Sequence, residues 1–136
     1  HEPGAGWGDA YPTMEDVRIL TSLTAAADVN VNMASTMSID FALRDTPVVN
    51  LGWDRDPTGG RADAYYTFEH YRPVIELGAV RVARSPAELA AHLSAYLADP
   101  SLDAAERRAL CDLELGVPVG ESSAAVVAAL RSFARP

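Results

Sequence analysis

Two short runs rich in β-branched residues, Val29-Asn30-Val31-Asn32 and Val48-Val49-Asn50-Leu51, lie about twenty residues apart with one helix-forming stretch between them. That spacing leaves room for a single helix, from about Thr36 to Arg44, and little else. It therefore predicts a parallel strand pair joined by a right-handed crossover. In sheets of this kind the ligand crevice opens beyond the carboxyl ends of the strands. Residues Met33 to Ser38 fall there.

The chemistry of that segment is distinctive. Ser35, Thr36 and Ser38 put three hydroxyls within four positions at the expected start of a helix. A helix start offers unpaired N–H groups and the positive end of a dipole, so it favours an anion. The dipole contributes ~0.3–2 kcal/mol. Hydrogen bonds to a charged group add roughly 1.5–3 kcal/mol each, so hydroxyl and backbone donors would dominate. Ser and Thr are also favoured N-cap residues for structural reasons alone. One cap suffices for one helix, however, and the surplus predicts a phosphate or pyrophosphate cradle. Asp40 follows Thr36 by one helical turn, so its carboxylate is expected to face the same crevice and accept from a ribose hydroxyl.

The segment resembles the donor-nucleotide half of two-domain (GT-B) glycosyltransferases, and most closely the CDP-glycerol glycerophosphotransferase-like enzymes. That family shows an acidic-aromatic-Ser-Ser loop, then Asp-Phe-Ala, then Lys-Pro and a strand ending near an aromatic-Asp pair. Here the stretch reads Met33-Ala34-Ser35-Thr36, Asp40-Phe41-Ala42, Thr46-Pro47 and Trp53-Asp54. Met33 and Ala34 stand for the acidic-aromatic pair, and Thr46 for Lys. The resemblance is loose over residues 14–134 and more specific over 29–54. Nucleotide-sugar epimerases carry a similarly placed Ser-Gly-Gly loop and Glu.

With 136 residues, 49% apolar and 22% charged, the chain has the length of one domain and the composition of a globular protein. A net charge of −8 disfavours nucleic acid as a partner. It says little about a small anion, which feels the local field. No apolar run approaches the ~20 residues of a membrane span. The single Cys111 excludes an internal disulfide and a Cys-based metal cluster, and the cytosol is the simplest compartment. The chain opens His1-Glu2-Pro3, without Met and without a signal peptide, and is expected to be part of a longer protein.

Along the chain, residues 1–12 read as loop. Thr13 caps a helix whose inner face is Val17, Leu20, Leu23 and Thr24, running down to Ala27. After the Val29–Asp54 unit, Pro57, Gly59 and Gly60 mark a polar loop long enough to be a ligand flap. Tyr65 to Leu77 is aromatic-rich and ends in a helix stopped by Gly78. Ala79–Ala83 is a third strand. Ser85-Pro86-Ala87-Glu88 is a capping box opening a helix to about Ala98. Further helices are expected at Asp103–Leu115, before Gly116, and over 122–134. The order predicts an α/β, Rossmann-like parallel sheet with flanking helices. Three strands are few for such a sheet, so an upstream βαβ portion is expected, and the resemblance implies a whole N-terminal domain before it.

The remaining candidates are weaker. His70 could donate to a phosphate or sit exposed at a helix start. Arg72 could pair with a phosphate, or with Glu69. Asp54 could touch a substrate or form a turn, and Trp53 could pack beside a base or in the core. Asn32 is expected to tie the loop, and Cys111 to pack inertly. No nucleophile–base pair and no metal-ligand spacing is evident.

The substrate-binding set is thus Ser35, Thr36, Ser38, Asp40, Asp54 and His70, with catalytic residues unassigned and no metal or cofactor called for. What the resemblance implies is the donor-binding half of a larger transferase, inactive by itself, taking a nucleotide-diphospho-sugar or nucleotide-diphospho-alcohol. The alternatives are a nucleotide-sugar epimerase domain or a non-catalytic α/β ligand- or protein-binding module. Uncovered apolar surface would also allow self-association.

Overall fold

The computed structural model describes residues 11–54 and 62–134. The flap loop expected around Pro57, Gly59 and Gly60 lies outside the described residues, as does most of the expected N-terminal loop. Helix α1 is Met14–Ala26, β1 is Asn30–Asn32, α2 is Met37–Ala42 and β2 is Val48–Leu51. A 3-10 helix, Ala62–Thr67, precedes α3 (Arg72–Glu76) and β3 (Arg81–Ala83). Three helices complete the chain: α4 (Pro86–Ala98), α5 (Ala104–Leu115) and α6 (Ser122–Phe133).

The strands form one parallel sheet in the order β1-β2-β3. Val31 lies opposite Val49, and Asn50 opposite Val82. The parallel β1–β2 pairing is the one the spacing demands. Alternation along β2 divides the core. Val48 points into a cluster with Phe41 and Ala42 of α2, Tyr71, Val74 of α3, and Leu110 of α5. Val49 points the other way, toward Ala83 and Tyr96 of α4. The domain is a small Rossmann-like α/β unit with helices on both sheet faces.

Local signals set several boundaries. Thr13 and Asp16 form a reciprocal capping box at α1, with the Thr13 hydroxyl accepting from Asp16 N at 3.2 Å. Ser85 Oγ accepts from Glu88 N at 3.1 Å, but the Glu88 carboxylate reaches one residue further back than the simple box, to Arg84 N. Gly78 and Gly116 end their helices at φ 73° and 62°, where a side chain would be strained.

Other expectations need correction. The α2 helix is shorter than Thr36–Arg44, because its last turn unwinds into Asp45 at φ 57°. The Tyr65–Leu77 stretch divides into the 3-10 helix and the short α3. The third strand starts at Arg81, and Ala79 and Val80 are buried ahead of it. The inner face expected for α1 is not buried: of its residues only Thr24 is inside, while Val17, Leu20 and Leu23 are exposed. The period of 3.6 was present, but among the described residues only the Thr24 end of that face is covered. Arg72 pairs with Glu76, at 3.1 Å, one turn along α3 rather than with Glu69.

Candidate functional site

The carboxyl ends of the strands lead into the loop Met33–Thr36 after β1 and into Gly52-Trp53-Asp54 after β2. Ala34 turns the first loop through a left-handed conformation, φ 43°. Asn32 ties it down, its Oδ1 accepting from Ser35 N at 3.3 Å. Ser35 Oγ accepts from Met37 N at 3.2 Å, so this hydroxyl, not the formal cap residue Thr36, satisfies the first turn of α2. Thr36 makes no side-chain cap bond and is exposed. Gly52 permits a close approach: a Cβ there would come within 2.5 Å of Val82 Cγ1 and 3.2 Å of Ala83 O.

Beneath the loop lies a buried polar network. Ser38 and Asn50 are both fully inaccessible. Asn50 Nδ2 donates to the Tyr71 hydroxyl at 2.7 Å, and Tyr71 shares a hydrogen bond of 2.8 Å with Ser38 Oγ. Ser38 in turn donates to Asn32 Oδ1 at 3.4 Å, and Asn32 Nδ2 donates to Asn30 Oδ1. The Tyr71 hydroxyl also lies 3.5 Å from the Ser35 carbonyl. A second phenol closes the end of β2, where the Tyr66 hydroxyl donates to Leu51 O at 2.5 Å. Burial pushes Tyr66 up to about 12, helped by the neighbouring Tyr71 and opposed by the Ala34 N–H. Burial raises Tyr71 as well, against the bonds from Ser38 and Asn50. Both phenols stay protonated near neutrality and act here as hydrogen-bonding groups, not as bases.

The six residues singled out from the sequence do not converge. Ser35 and Thr36 sit together on the loop after β1. Ser38 is next to them in the chain but lies inside, spending its hydroxyl on Tyr71 and Asn32. Asp40 lines a separate cavity of about 310 Å³ with Leu20, Thr24, Leu43 and Val119, among others, between α1 and α2. Asp54 accepts from Ala62 N at 2.7 Å, the turn-forming bond that starts the 3-10 helix. His70 is exposed and stacks on Phe68, with ring centres 5.8 Å apart. Trp53 packs against the Val49–Tyr96 cluster. Cys111 is half-buried, and burial first, then Asp112 and Asp45, raises its thiol, so it is a poor nucleophile.

Tyr71, Asn50 and Tyr66 were not singled out from the sequence. One signal was available: Asn50 interrupts an apolar strand, and a buried amide requires partners. Nothing local pointed to Tyr71, whose neighbours His70 and Arg72 carry the more conspicuous chemistry. Among the described residues no three His, Cys, Asp or Glu side chains are grouped to hold a metal ion. No described helix is long and apolar enough to cross a membrane.

The fold and site together define a parallel α/β domain with a small hydroxyl-lined loop at the strand ends. Comparison with family models, with curated proteins and with solved structures found no match to this chain.

Proposed function

We propose that this chain is the donor-binding part of a GT-B-like transferase and that its 33–36 loop receives the diphosphate of a nucleotide-diphospho-sugar or nucleotide-diphospho-alcohol. The observation that carries the reading is the exposed Thr36 hydroxyl, uncommitted to the cap of α2, on a loop at the carboxyl edge of a parallel sheet. In this reading Thr36 and the loop's main chain contact phosphate. Ser35 contributes through its remaining hydrogen-bonding capacity, and Ser38 serves as scaffold beneath them. Donors fixed beforehand strengthen their grip as charge builds on the leaving nucleotide diphosphate, so they act on the transition state. The group that activates the acceptor would come from elsewhere in a longer protein, and a cytosolic setting would supply the donor.

The clean probe is Thr36→Ala, because this side chain has no cap bond to lose. Calorimetric titration with ADP, CDP, GDP and UDP should find binding by the wild-type protein. The variant should bind more weakly by roughly 1.5–3 kcal/mol, at unchanged unfolding midpoint. No binding by any of the four, or equal binding by the variant, would end the reading. A non-catalytic α/β module is the second reading, and the burial of Ser38 is the observation in its favour.

A further inference from the structure

The network under the loop after β1 joins elements that are far apart in the chain. Tyr71, just before α3 and 2% exposed, bonds to Ser38 of α2 and Asn50 of β2, and its hydroxyl lies near the main chain of Ser35. Asn32 at the end of β1 is reached through Ser38. The phenolic oxygen thus joins α2, β2 and the loop directly, and β1 through Ser38. A core that needed only volume here would use Phe at position 71, Ala at position 38 and Leu at position 50, with no polar group to satisfy. Instead the Asn50 amide is buried with its Oδ1 lacking a partner among the described residues. A partly satisfied network in a low-dielectric interior is costly and directional.

We propose that Tyr71 is a positioning residue for the loop after β1: its hydroxyl holds Ser38 and, through it, Asn32, and so fixes the turn of Met33–Thr36. This rests on the donor-site reading for its ligand but not for its geometry. The phenol stays protonated and touches no ligand; it acts through the loop.

Two variants separate positioning from mere stability. Tyr71→Phe removes only the hydroxyl and leaves the Asn50 amide donor without its partner, while Ser38 keeps Asn32, so some stability is lost in any case. The double variant Tyr71→Phe/Asn50→Leu removes the stranded amide as well, and replacing both partners by apolar groups restores stability. Affinity for the nucleoside diphosphate that the wild-type protein binds best should fall at least tenfold in both variants. In both, amide hydrogen exchange at Ser35, Met37 and Ser38 should accelerate, while exchange at the β2 amides of positions 49 and 50 stays slow.

If affinity and loop protection return together with stability in the double variant, Tyr71 only fills and satisfies the core, and the inference is overturned. Unchanged affinity and loop exchange in Tyr71→Phe would overturn it equally. If the wild-type protein binds none of the four nucleotides, the donor-site reading fails by itself. The exchange pattern then decides: selective loss at the loop supports positioning, and uniform or absent loss refutes it.

Discussion

Arg107 is fully buried, which an arginine tolerates only when its donors are matched. Its Nε donates to Asp45 Oδ1 at 2.9 Å, Nη1 to Leu102 O at 2.6 Å and Nη2 to Pro100 O at 3.0 Å. Asp45 meets this guanidinium from a left-handed backbone, φ 57°, a conformation that Asp and Asn tolerate best after Gly. Asp45→Asn keeps the backbone preference and one acceptor while removing the charge. Because the Asp45 side chain is 54% exposed, the loss should stay below that of a fully buried pair. A destabilisation of about 1–3 kcal/mol is expected, read from the urea midpoint. An unmoved midpoint would mean that a neutral acceptor at position 45 serves Arg107 as well as the carboxylate does.

The start of α5 shows an element whose end is set by partners outside it. Asp103 stands at the cap position with φ 59° and makes no cap bond. Its carboxylate accepts instead from Arg81 Nε and from the Tyr96 hydroxyl, each at 2.7 Å. Arg81 also lies 4.5 Å over the Tyr96 ring, a cation–π contact. Burial pushes the Asp103 carboxyl up, but the bonds from Arg81 and Tyr96 outweigh it and hold the group below its ordinary 3.8. A carboxyl depressed in the folded state contributes stability above its unfolded value and loses it as pH falls through the folded one. The protein should therefore weaken below about pH 4, and Asp103→Asn should flatten that acid limb. Thermal midpoints measured across this range test it; an equally steep limb in the variant would assign the effect to other carboxylates. The start of α4 is the contrasting case, since Ser85 and Pro86 set it through local chemistry that the sequence displays.

At the scale of the molecule, burial is uneven. The sheet, α2, α3, α4 and α5 share the two core clusters, whereas no residue of α6 is buried. Val126, Val127, Leu130 and Phe133 are all exposed on it, as are Met14, Val17 and Leu23 on α1. A 12-residue helix without packing is marginal in water. Removing residues 121–136 should therefore change the unfolding free energy of the rest by no more than about 0.5 kcal/mol, as for surface changes away from any packed feature. It should also reduce concentration-dependent light scattering, because exposed apolar faces promote association. A large loss of stability on truncation would show that α6 packs more firmly than this arrangement describes.

Sequence alone determined what depends on neighbours along the chain. The β-branched runs at Val29–Asn32 and Val48–Leu51, with one helix between them, required parallel strands. Thr13, Ser85, Gly78 and Gly116 mark helix ends because caps and left-handed turns act over a few residues. The loop after β1 was legible for the same reason, and so was Asn32 as its tie. Only the tertiary structure decided which polar groups lie inside. Ser38 faces Tyr71 across 33 positions, Asn50 faces it across 21, and Arg107 finds Asp45 across 62. Spacing within α2 could not show that Ser38 turns inward to Tyr71 while Asp40 faces α1. That choice follows from where α3, α5 and the sheet sit, because a buried donor or acceptor takes whatever partner the packing brings within hydrogen-bond reach.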